Sequence, residues 1–206
     1  GSATRACEML TDRTKEYVAE LLLGKITDTQ DTTGTVLEER EVAVDEAQVR
    51  EVIGSFVGGY DQIPPMYSAL KVNGKKLYEL ARAGKEVERQ ARHVDLPAIE
   101  ILEIRLPVVK FRVECSKGTY IRSLCADIGG KLGCGGTMQS LVRTRVGEFR
   151  LTDALTLTQL QELRDTGRLE EALLPTDRIF ADFNAVHVEE KWRKLIDNGN
   201  AFYPGQ

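Results

Sequence analysis

Long apolar runs are absent from this sequence, and that absence argues against two classes of protein. None of the apolar runs in its 206 residues approaches the roughly 20 residues that a membrane-spanning helix needs. The N-terminus also lacks a basic region followed by an apolar stretch, which is the pattern of a signal peptide. We therefore expect no membrane association and a cytoplasmic location.

Metal-binding and redox motifs are absent as well. The four cysteines, Cys7, Cys115, Cys125 and Cys134, form no C-x-x-C pair, and the only two histidines are far apart in the chain. Zinc sites and redox-active thiols need such clusters. We predict no metal site and expect reduced, mostly buried cysteines.

Positive charge is scarce overall but concentrated in one segment. The net charge of −4 counts against a nucleic-acid partner, because phosphate neutralisation needs lysine and arginine. Between Lys71 and Arg92, however, there are seven basic residues and three acidic ones, a net of +4 that leaves −8 for the rest of the chain. This asymmetry indicates either an element that grips RNA or a solvated helix face.

A strand, a turn and the start of a helix are recognisable around Gly118. Apolar and charged residues alternate over positions 110–115, which is typical of a β-strand. After the turn, apolar residues recur with the helical period at Ile121, Leu124, Cys125, Ile128 and Leu132. Arg122 lies off this stripe at a helix N-terminus, where the macrodipole disfavours cations, so we expect a carboxylate or a phosphate to hold it. The alternative is an ordinary surface arginine.

The remaining pattern alternates strands and helices. We predict strands at 16–23, 36–44, 98–104, 108–115 and 142–151. Capping boxes at Asp45 and Thr156, each with a Gln three residues later, predict two helices that close at 58–59 and near 167. The predicted fold class is α+β, with antiparallel strands that carry the site.

Five segments match one protein family in order along nearly the whole chain. They are Lys15-Glu16-Tyr17 with Leu23-Gly24; Thr27-Asp28-Thr29 with Asp31-Thr32-Thr33-Gly34; Gln62-Ile63-Pro64-Pro65-Met66-Tyr67-Ser68-Ala69-Leu70-Lys71; Lys117-Gly118-Thr119-Tyr120-Ile121-Arg122; and Lys131-Leu132-Gly133-Cys134-Gly135. Each segment is weak alone, but five in order are specific. On these residues the sequence resembles the TruB family of tRNA pseudouridine synthases.

The resemblance implies a fold, a reaction and a partner. The fold is the pseudouridine synthase fold, a mixed, mostly antiparallel sheet flanked by helices, with a basic thumb-like insertion at about 61–92. The reaction flips the T-loop uridine (position 55) out of tRNA and isomerises it to pseudouridine, whose base is joined to ribose through carbon. The implied partner is the T-arm stem-loop of tRNA, and no cofactor, metal, membrane or protein partner is implied.

One family motif is missing from the sequence. In the family, the nucleophile is an aspartate in a Gly-Thr-Leu-Asp-Pro loop, and no such string occurs in the 206 residues. We therefore expect a partial catalytic domain at 1–175, the start of a truncated C-terminal RNA-binding region at 176–206, and no activity from this chain alone.

The resemblance also assigns roles to individual residues. Arg122 matches the residue that keeps the nucleophilic aspartate ionised and oriented, and Leu141 matches an apolar wall of the active site. Tyr17 matches the tyrosine that stacks on the flipped base and takes part in proton removal, since a phenol offers a π-face and a hydroxyl; a core strand aromatic is its plain alternative. The residues expected to contact RNA are Tyr67, Lys71, Lys75, Lys76, Arg82, Lys85, Lys117 and Tyr120.

Two other functions stay open on the sequence alone. One is a non-catalytic fragment that binds structured RNA, or a tRNA-folding chaperone. The other is a different enzyme of the same superfamily that a separate RNA guides to its target. The basic insertion favours a stand-alone enzyme that closes on its own substrate.

Overall fold

The structure is a computed structural model that describes residues 4, 7–181, 183–184 and 186–200. Its α-helices are α1 (Cys7–Thr11), α2 (Glu46–Gly54), α3 (Leu77–Arg82), α4 (Ile121–Lys131), α5 (Leu157–Asp165) and α6 (Arg193–Asp197). Its strands are β1 (Lys15–Leu23), β2 (Lys25–Thr27), β3 (Val36–Glu39), β4 (Tyr60–Gln62), β5 (Lys71–Val72), β6 (Lys75–Lys76), β7 (Arg92–Val94), β8 (Ala98–Arg105), β9 (Val108–Cys115), β10 (Gly136–Val146) and β11 (Phe149–Arg150). Short 3₁₀ segments lie at Leu151–Asp153, Leu169–Ala172, Thr176–Phe180 and Glu190–Trp192. Within these residues, no helix has the length and apolar character to cross a membrane.

The largest sheet has five antiparallel strands in the spatial order β11-β10-β1-β9-β8. β1 pairs with β9 on one side and with β10 on the other. Three separate two-stranded ladders join β2 to β3, β4 to β7, and β5 to β6. This architecture confirms the predicted α+β class with a mostly antiparallel sheet.

The hydrophobic core lies on one face of the large sheet. Burial alternates along β9 with period two, as the sequence pattern predicts. The buried residues of β1 and β9 pack against the apolar stripes of α2 and α4. The opposite face carries charged side chains, including the ion pair between Lys110 and Glu20 at 3.5 Å. α4 and its Arg122 therefore lie on the core side of the sheet.

Two glycines allow α4 to lie close against β10. A Cβ atom added at Gly129 would lie 2.2 Å from the main-chain nitrogen of Gly136, far inside van der Waals contact. Glycine inside a helix normally lowers helix stability, but here its small size permits backbone to meet backbone. This contact sets the distance between α4 and the sheet.

The predicted capping boxes at Asp45 and Thr156 are confirmed, whereas several predicted boundaries are wrong. The strand predicted at 142–151 begins at Gly136 and ends at Val146. Glycine is unfavourable in strands, but the close approach of α4 requires Gly136. The strand predicted at 36–44 ends at Glu39, and α2 ends at Gly54 rather than at 58–59. Turns follow α2, so apolar residues beyond Gly54 extend the pattern without extending the helix.

The basic insertion forms a structural unit between β4 and β7. These two strands pair antiparallel and make its stem. Inside the unit, the β5–β6 hairpin turns at Asn73-Gly74, where both residues have positive φ, as a type I′ turn requires. α3 follows directly and buries Leu77 completely. The thumb-like insertion predicted at about 61–92 is thus bounded by paired strands.

Candidate active site

Arg122 lies in the first turn of α4, and three oxygen atoms contact its guanidinium. Nη1 donates to Oδ2 of Asp31 and to the main-chain oxygen of Thr29, both at 3.2 Å. Nη2 donates to the main-chain oxygen of Tyr67 at 2.7 Å. The Arg122 side chain is 24% exposed, so it is held in place while part of it faces solvent. The prediction that an acidic group holds Arg122 is confirmed by the Asp31 carboxylate.

Asp31 was not among the predicted site residues. Its Oδ1 accepts hydrogen bonds from the Thr29 hydroxyl at 2.8 Å, the Thr33 hydroxyl at 2.5 Å and the Thr33 N–H at 3.1 Å. Burial alone raises the pKa of Asp31, but the hydrogen bonds from Thr33 and Thr29 and the charge of Arg122 outweigh it, so the pKa is lowered. Asp31 is therefore ionised at neutral pH. The sequence could have indicated Asp31 through the threonines two residues before and after it, since short polar side chains in turns commonly bond one another and the local backbone.

The turn that carries Asp31 is attached to the start of β10. The Met138 N–H donates to the main-chain oxygen of Gln30, and the Thr32 N–H donates to the main-chain oxygen of Met138, both at 3.0 Å. The Ser123 hydroxyl of α4 also donates to the Gln30 side-chain oxygen, at 2.8 Å. The turn and the helix are thus fixed to each other beside the ion pair.

Tyr17 and Leu141 lie on the core face of the sheet, the same side as α4. Tyr17 is half-buried and packs against the core. Leu141 lies opposite Ala19 in the β1–β10 register and is 39% exposed. Directly paired residues of antiparallel strands point to the same face, so Leu141 is on the face of Ala19. Tyr17 is two residues before Ala19 on β1 and therefore shares that face. The three predicted catalytic residues, including Arg122, thus lie on one side of the sheet, and their chemical roles stay predictions.

Arg143 is an unpredicted cation on the same surface. It lies directly opposite Tyr17 in the β1–β10 register and is exposed. Within the part of the chain that the structure describes, it has no hydrogen-bond or ion-pair partner. A free guanidinium beside an aromatic ring is suited to a phosphate next to a stacked base. The sequence could have indicated Arg143 through its position two residues after Leu141, because alternate residues of a strand share a face.

Three of the predicted RNA contacts in the insertion are freely exposed lysines. Lys71, Lys75 and Lys85 are all exposed. Among the described residues, none of them has an ion-pair partner. Exposed lysines without ion-pair partners are available to neutralise phosphates, although contact with RNA stays a prediction.

Two further predicted contacts, Lys76 and Arg82, lie against Tyr78. The Lys76 Nζ and the Arg82 guanidinium carbon are 5.4 and 5.3 Å from the centre of the Tyr78 ring. The Lys76 Nζ also donates to the Tyr78 hydroxyl at 3.2 Å. These cation–π contacts order the basic side chains at the two ends of α3, Lys76 at its N-cap and Arg82 in its last turn. The predicted aromatic platform, Tyr67, is half-buried, and its main-chain oxygen is what contacts Arg122.

Lys117 and Tyr120 lie on the turn before α4. The Lys117 Nζ is 2.5 Å from Oδ1 of Asp12 in an exposed ion pair, and its hydrogen bond lowers the pKa of Asp12. Tyr120 is the N-cap residue of α4, and its main chain is held by Gln62. Lys117 is therefore already paired, and RNA contact by either residue stays a prediction.

The described residues contain no group of three or more His, Cys, Asp or Glu side chains arranged to hold a metal ion. All four cysteines are free, and Cys115, Cys125 and Cys134 are buried. Burial raises the pKa of the Cys115 and Cys125 thiols, so these two are poor nucleophiles.

Comparison with known sequences finds two family descriptions that together cover residues 1–181. Residues 1–121 match "TruB family pseudouridylate synthase (N terminal domain)" and residues 122–181 match "tRNA pseudouridylate synthase B C-terminal domain". A relative from Alkaliphilus oremlandii, named tRNA pseudouridine synthase B, is 48% identical over 203 residues, or 98% of this chain and 67% of the relative. One of the same name from Lachnoclostridium phytofermentans is 50% identical over 208 residues, or 97% of this chain and 68% of the relative.

Solved structures are similar in fold as well. A crystal structure of a Cbf5-Nop10-Gar1 complex matches with a TM-score of 0.64 and 30% identity, covering 85% of this chain and 46% of the matched chain. A structure of an H/ACA RNP bound to a substrate RNA containing 2'-deoxyuridine matches with a TM-score of 0.60 and 27% identity, covering 85% of this chain and 44% of the other. This chain thus spans about two thirds of its curated relatives and less than half of the matched structural chains. The similarities confirm the predicted resemblance and fold, and the chain belongs to the TruB family of pseudouridylate synthases, which are enzymes.

Proposed function

We propose that this chain supplies most of the catalytic domain of a tRNA pseudouridine synthase that isomerises the T-loop uridine. The observation that carries the proposal is the Asp31–Arg122 pair at the start of α4, on the same side of the sheet as Tyr17 and Leu141. Family membership supports pseudouridine synthesis, and the name shared by the relatives supports tRNA as the substrate. The T-loop target rests on the sequence resemblance.

The chemistry explains why a guanidinium is useful there. Pseudouridine formation breaks the bond between N1 of uracil and C1′ of ribose, forms a bond from C5 to C1′, removes a proton from C5 and returns one to N1. The target base has to leave the stacked loop before any of this occurs. A carboxylate nucleophile must then stay ionised beside the sugar, and a planar guanidinium binds a carboxylate with defined direction. Arg122 is suited to that task because its three hydrogen bonds to described residues leave two of its five N–H groups for a further carboxylate, and its side chain is partly open to solvent.

In this proposal Asp31 orients Arg122 and is not the nucleophile. Its Oδ1 accepts three hydrogen bonds and its Oδ2 faces Arg122. A carboxylate with lone pairs engaged in this way is a weak nucleophile. We assign the nucleophile to an aspartate in a Gly-Thr-Leu-Asp-Pro loop outside these 206 residues.

The roles proposed for the neighbouring residues follow from their chemistry. Tyr17 stacks on the flipped uracil, and its hydroxyl takes part in removing the C5 proton. Leu141 forms an apolar wall that excludes water from the base, and Arg143 binds a phosphate next to it. The exposed lysines of the insertion grip the T-arm backbone. A cytoplasmic location is proposed with this function, supported by the tRNA substrate and the four free thiols.

Tritium release provides the test. T-arm RNA labelled with tritium at C5 of its uridines is incubated with this chain and with a protein that extends it by a Gly-Thr-Leu-Asp-Pro loop. We expect release from the extended protein and none from this chain. No release from the extended protein would refute the proposed function. Release by this chain would show that one of its own carboxylates, with Asp31 the first candidate, performs the nucleophilic step.

A second candidate function, RNA binding without catalysis, is favoured by one observation. The insertion presents Lys71, Lys75 and Lys85 without ion-pair partners among the described residues. Such a surface binds a phosphate backbone whether or not a reaction follows. A binding isotherm for T-arm RNA, measured beside the tritium assay, distinguishes the two functions, because binding without release by the extended protein would leave only this second one.

A further inference from the structure

One buried side chain joins the stem of the thumb-like insertion to the start of α4. Gln62 is the last residue of β4 and is 1% exposed. Its Oε1 accepts a hydrogen bond from the Tyr120 N–H at 2.8 Å, and its Nε2 donates to the Tyr120 main-chain oxygen at 3.0 Å. One carboxamide thus holds both polar main-chain groups of a single residue.

The residue that Gln62 holds is the N-cap of α4. Tyr120 has the extended conformation of an N-cap, with φ −104° and ψ 108°, and its side chain makes no capping hydrogen bond. Its main-chain oxygen also accepts the hydrogen bond from the Leu124 N–H at 3.0 Å, at the start of the helix. Arg122 follows two positions after the N-cap. The hold on Tyr120 therefore determines where the helix begins and in which direction Arg122 leaves it.

The same part of the insertion also contacts the Arg122 side chain directly. The main-chain oxygen of Tyr67 accepts a hydrogen bond from Nη2 of Arg122 at 2.7 Å. Between Gln62 and Tyr67 lie Pro64 and Pro65, which are both buried. Proline rings restrict φ, so the segment 62–67 is stiff and its two contacts move together.

A third contact attaches the stem further along the helix. The Gln62 Nε2 also donates to the Tyr60 hydroxyl at 2.6 Å, and that hydroxyl donates to Oδ2 of Asp127 at 2.7 Å. Asp127 belongs to α4. The stem is thus bonded to α4 at the N-cap and at Asp127, and to the Arg122 guanidinium through Tyr67.

We infer that Gln62 is a positioning residue that couples the position of the thumb-like insertion to the orientation of Arg122. The inference rests on the proposed function, because its consequence is catalytic. RNA that binds the exposed lysines of the insertion displaces the stiff segment 62–67, and this displacement changes the hydrogen bonds that orient Arg122. RNA binding to the insertion is in this way transmitted to the active site through the hydrogen bonds of Gln62 and Tyr67.

The kinetic test uses the complete synthase, which includes the nucleophile loop. Gln62→Met keeps the length of the side chain and removes its hydrogen bonds, whereas Gln62→Glu keeps an acceptor for the Tyr120 N–H and loses the donor. We expect the single-turnover rate to fall about 10- to 100-fold in Gln62→Met, the scale of a misplacement near 1 Å, and less in Gln62→Glu. T-arm affinity should change by less than about twofold, because the phosphate contacts that dominate it are untouched.

The stability control is Val109→Ala, which truncates a buried side chain at the start of β9, the end of the strand away from the turn into α4. It should lower the melting temperature without the loss of rate. Equal rate loss in Val109→Ala and Gln62→Met at matched melting temperatures would reduce Gln62 to an ordinary core residue and overturn the inference.

A double-mutant cycle shows whether Gln62 acts through Arg122. In an Arg122→Lys background the orientation of the guanidinium is already lost, so Gln62→Met should reduce the rate by less than about threefold further. The same 10- to 100-fold reduction in both backgrounds would mean that the two residues act independently, and the inference would be wrong.

Amide hydrogen exchange tests the coupling without turnover, and so separates this inference from the proposed function. T-arm RNA should change the exchange protection of residues 120–124 in the parent protein, and Gln62→Met should abolish that response. If the parent produces no pseudouridine but shows the Gln62-dependent response, only the proposed function fails. If the response is the same in parent and variant, or absent from both, the coupling is refuted.

Discussion

The carboxylate of Asp31 and the guanidinium of Arg122 are 91 residues apart in the sequence and 3.2 Å apart in the structure. Hydrogen bonds from neighbouring threonines fix the carboxylate, and the start of α4 fixes the arginine. Each charge therefore meets a partner that is already oriented, so little conformational freedom is lost when the pair forms.

The first prediction concerns Asp31→Asn in the complete synthase. The amide oxygen still accepts the threonine hydrogen bonds, but the charge that faces Arg122 is gone. A hydrogen bond to a charged group is worth about 1.5–3 kcal/mol, so we expect the single-turnover rate to fall about 10- to 100-fold with little change in RNA affinity. Asp28→Asn is the matched control, because Asp28 bonds Thr35 in the same turn and makes no contact with Arg122. Equal rates in both variants would contradict the role of Asp31.

The second prediction separates the two roles of Tyr17. Tyr17→Phe keeps the ring and removes the hydroxyl, so it should bind RNA normally and react slowly. Tyr17→Leu also removes the stacking face, which is worth about 1–3 kcal/mol per base, and should bind more weakly as well. Single-turnover rates and RNA affinities distinguish these results. A Tyr17→Phe enzyme as fast as the parent would leave Tyr17 a platform without a role in proton transfer.

The third prediction concerns the salt dependence of RNA binding. Replacing Lys71, Lys75 and Lys85 by Gln should flatten the plot of log affinity against log salt by about one unit for each phosphate that is no longer neutralised. Lys110→Gln is the control, because Lys110 lies on the opposite face of the sheet and faces Glu20. Titrations at several salt concentrations measure both slopes. An unchanged slope in the triple variant would make the insertion a solvated surface.

The fourth prediction compares two adjacent glycines of α4. Gly129→Ala would place its Cβ against the backbone of β10, whereas a Cβ at Gly130 meets nothing within 4 Å. We expect Gly129→Ala to lower the free energy of unfolding by about 1–3 kcal/mol or more. Gly130→Ala should raise it by about 0.5–1 kcal/mol, since alanine is the better helix former. Urea unfolding measures both, and similar effects of the two would contradict the close packing of α4 on β10.

The fifth prediction is a pH dependence that arises at Asp127. Burial raises the pKa of Asp127, against the opposing hydrogen bond from Tyr60. The folded state thus binds the proton more tightly than the unfolded state, whose aspartate pKa is about 3.9. The stability from this group is complete below that pH and is lost as the pH rises through the raised pKa of the folded protein.

Asp127→Asn removes this titration and keeps an oxygen for the Tyr60 hydroxyl. The unfolding free energy of the variant relative to the parent should therefore increase as the pH rises from about 4 to 7. Urea unfolding across this range provides the measurement, with Asp153→Asn as an exposed control. If the difference in unfolding free energy between variant and parent stayed constant or fell as the pH rose, burial of the ionised Asp127 would not destabilise the folded protein.

The sequence by itself determined the elements whose cause is local. The alternation of Phe111, Val113 and Cys115 predicted β9, and the helical stripe after Gly118 predicted α4 with Arg122 off its buried face. The capping boxes at Asp45 and Thr156 were also correct, because a cap depends on residues three positions apart. Short-range sterics and the periods of strand and helix decide such features before any long-range contact forms.

Only the tertiary structure decided which distant residues meet. The partners of Arg122 come from a turn near residue 31 and from the insertion at Tyr67, and the N-cap of α4 is held by Gln62, which is 58 residues away. Hydrogen-bonding side chains such as Gln62 and Asp31 have no periodicity that reveals their partners. The start of β10 at Gly136 is a similar case, because the need for glycine there comes from the close approach of α4 and of the Leu21 side chain. These features depend on the spatial order of the strands, which joins chain segments that no local pattern connects.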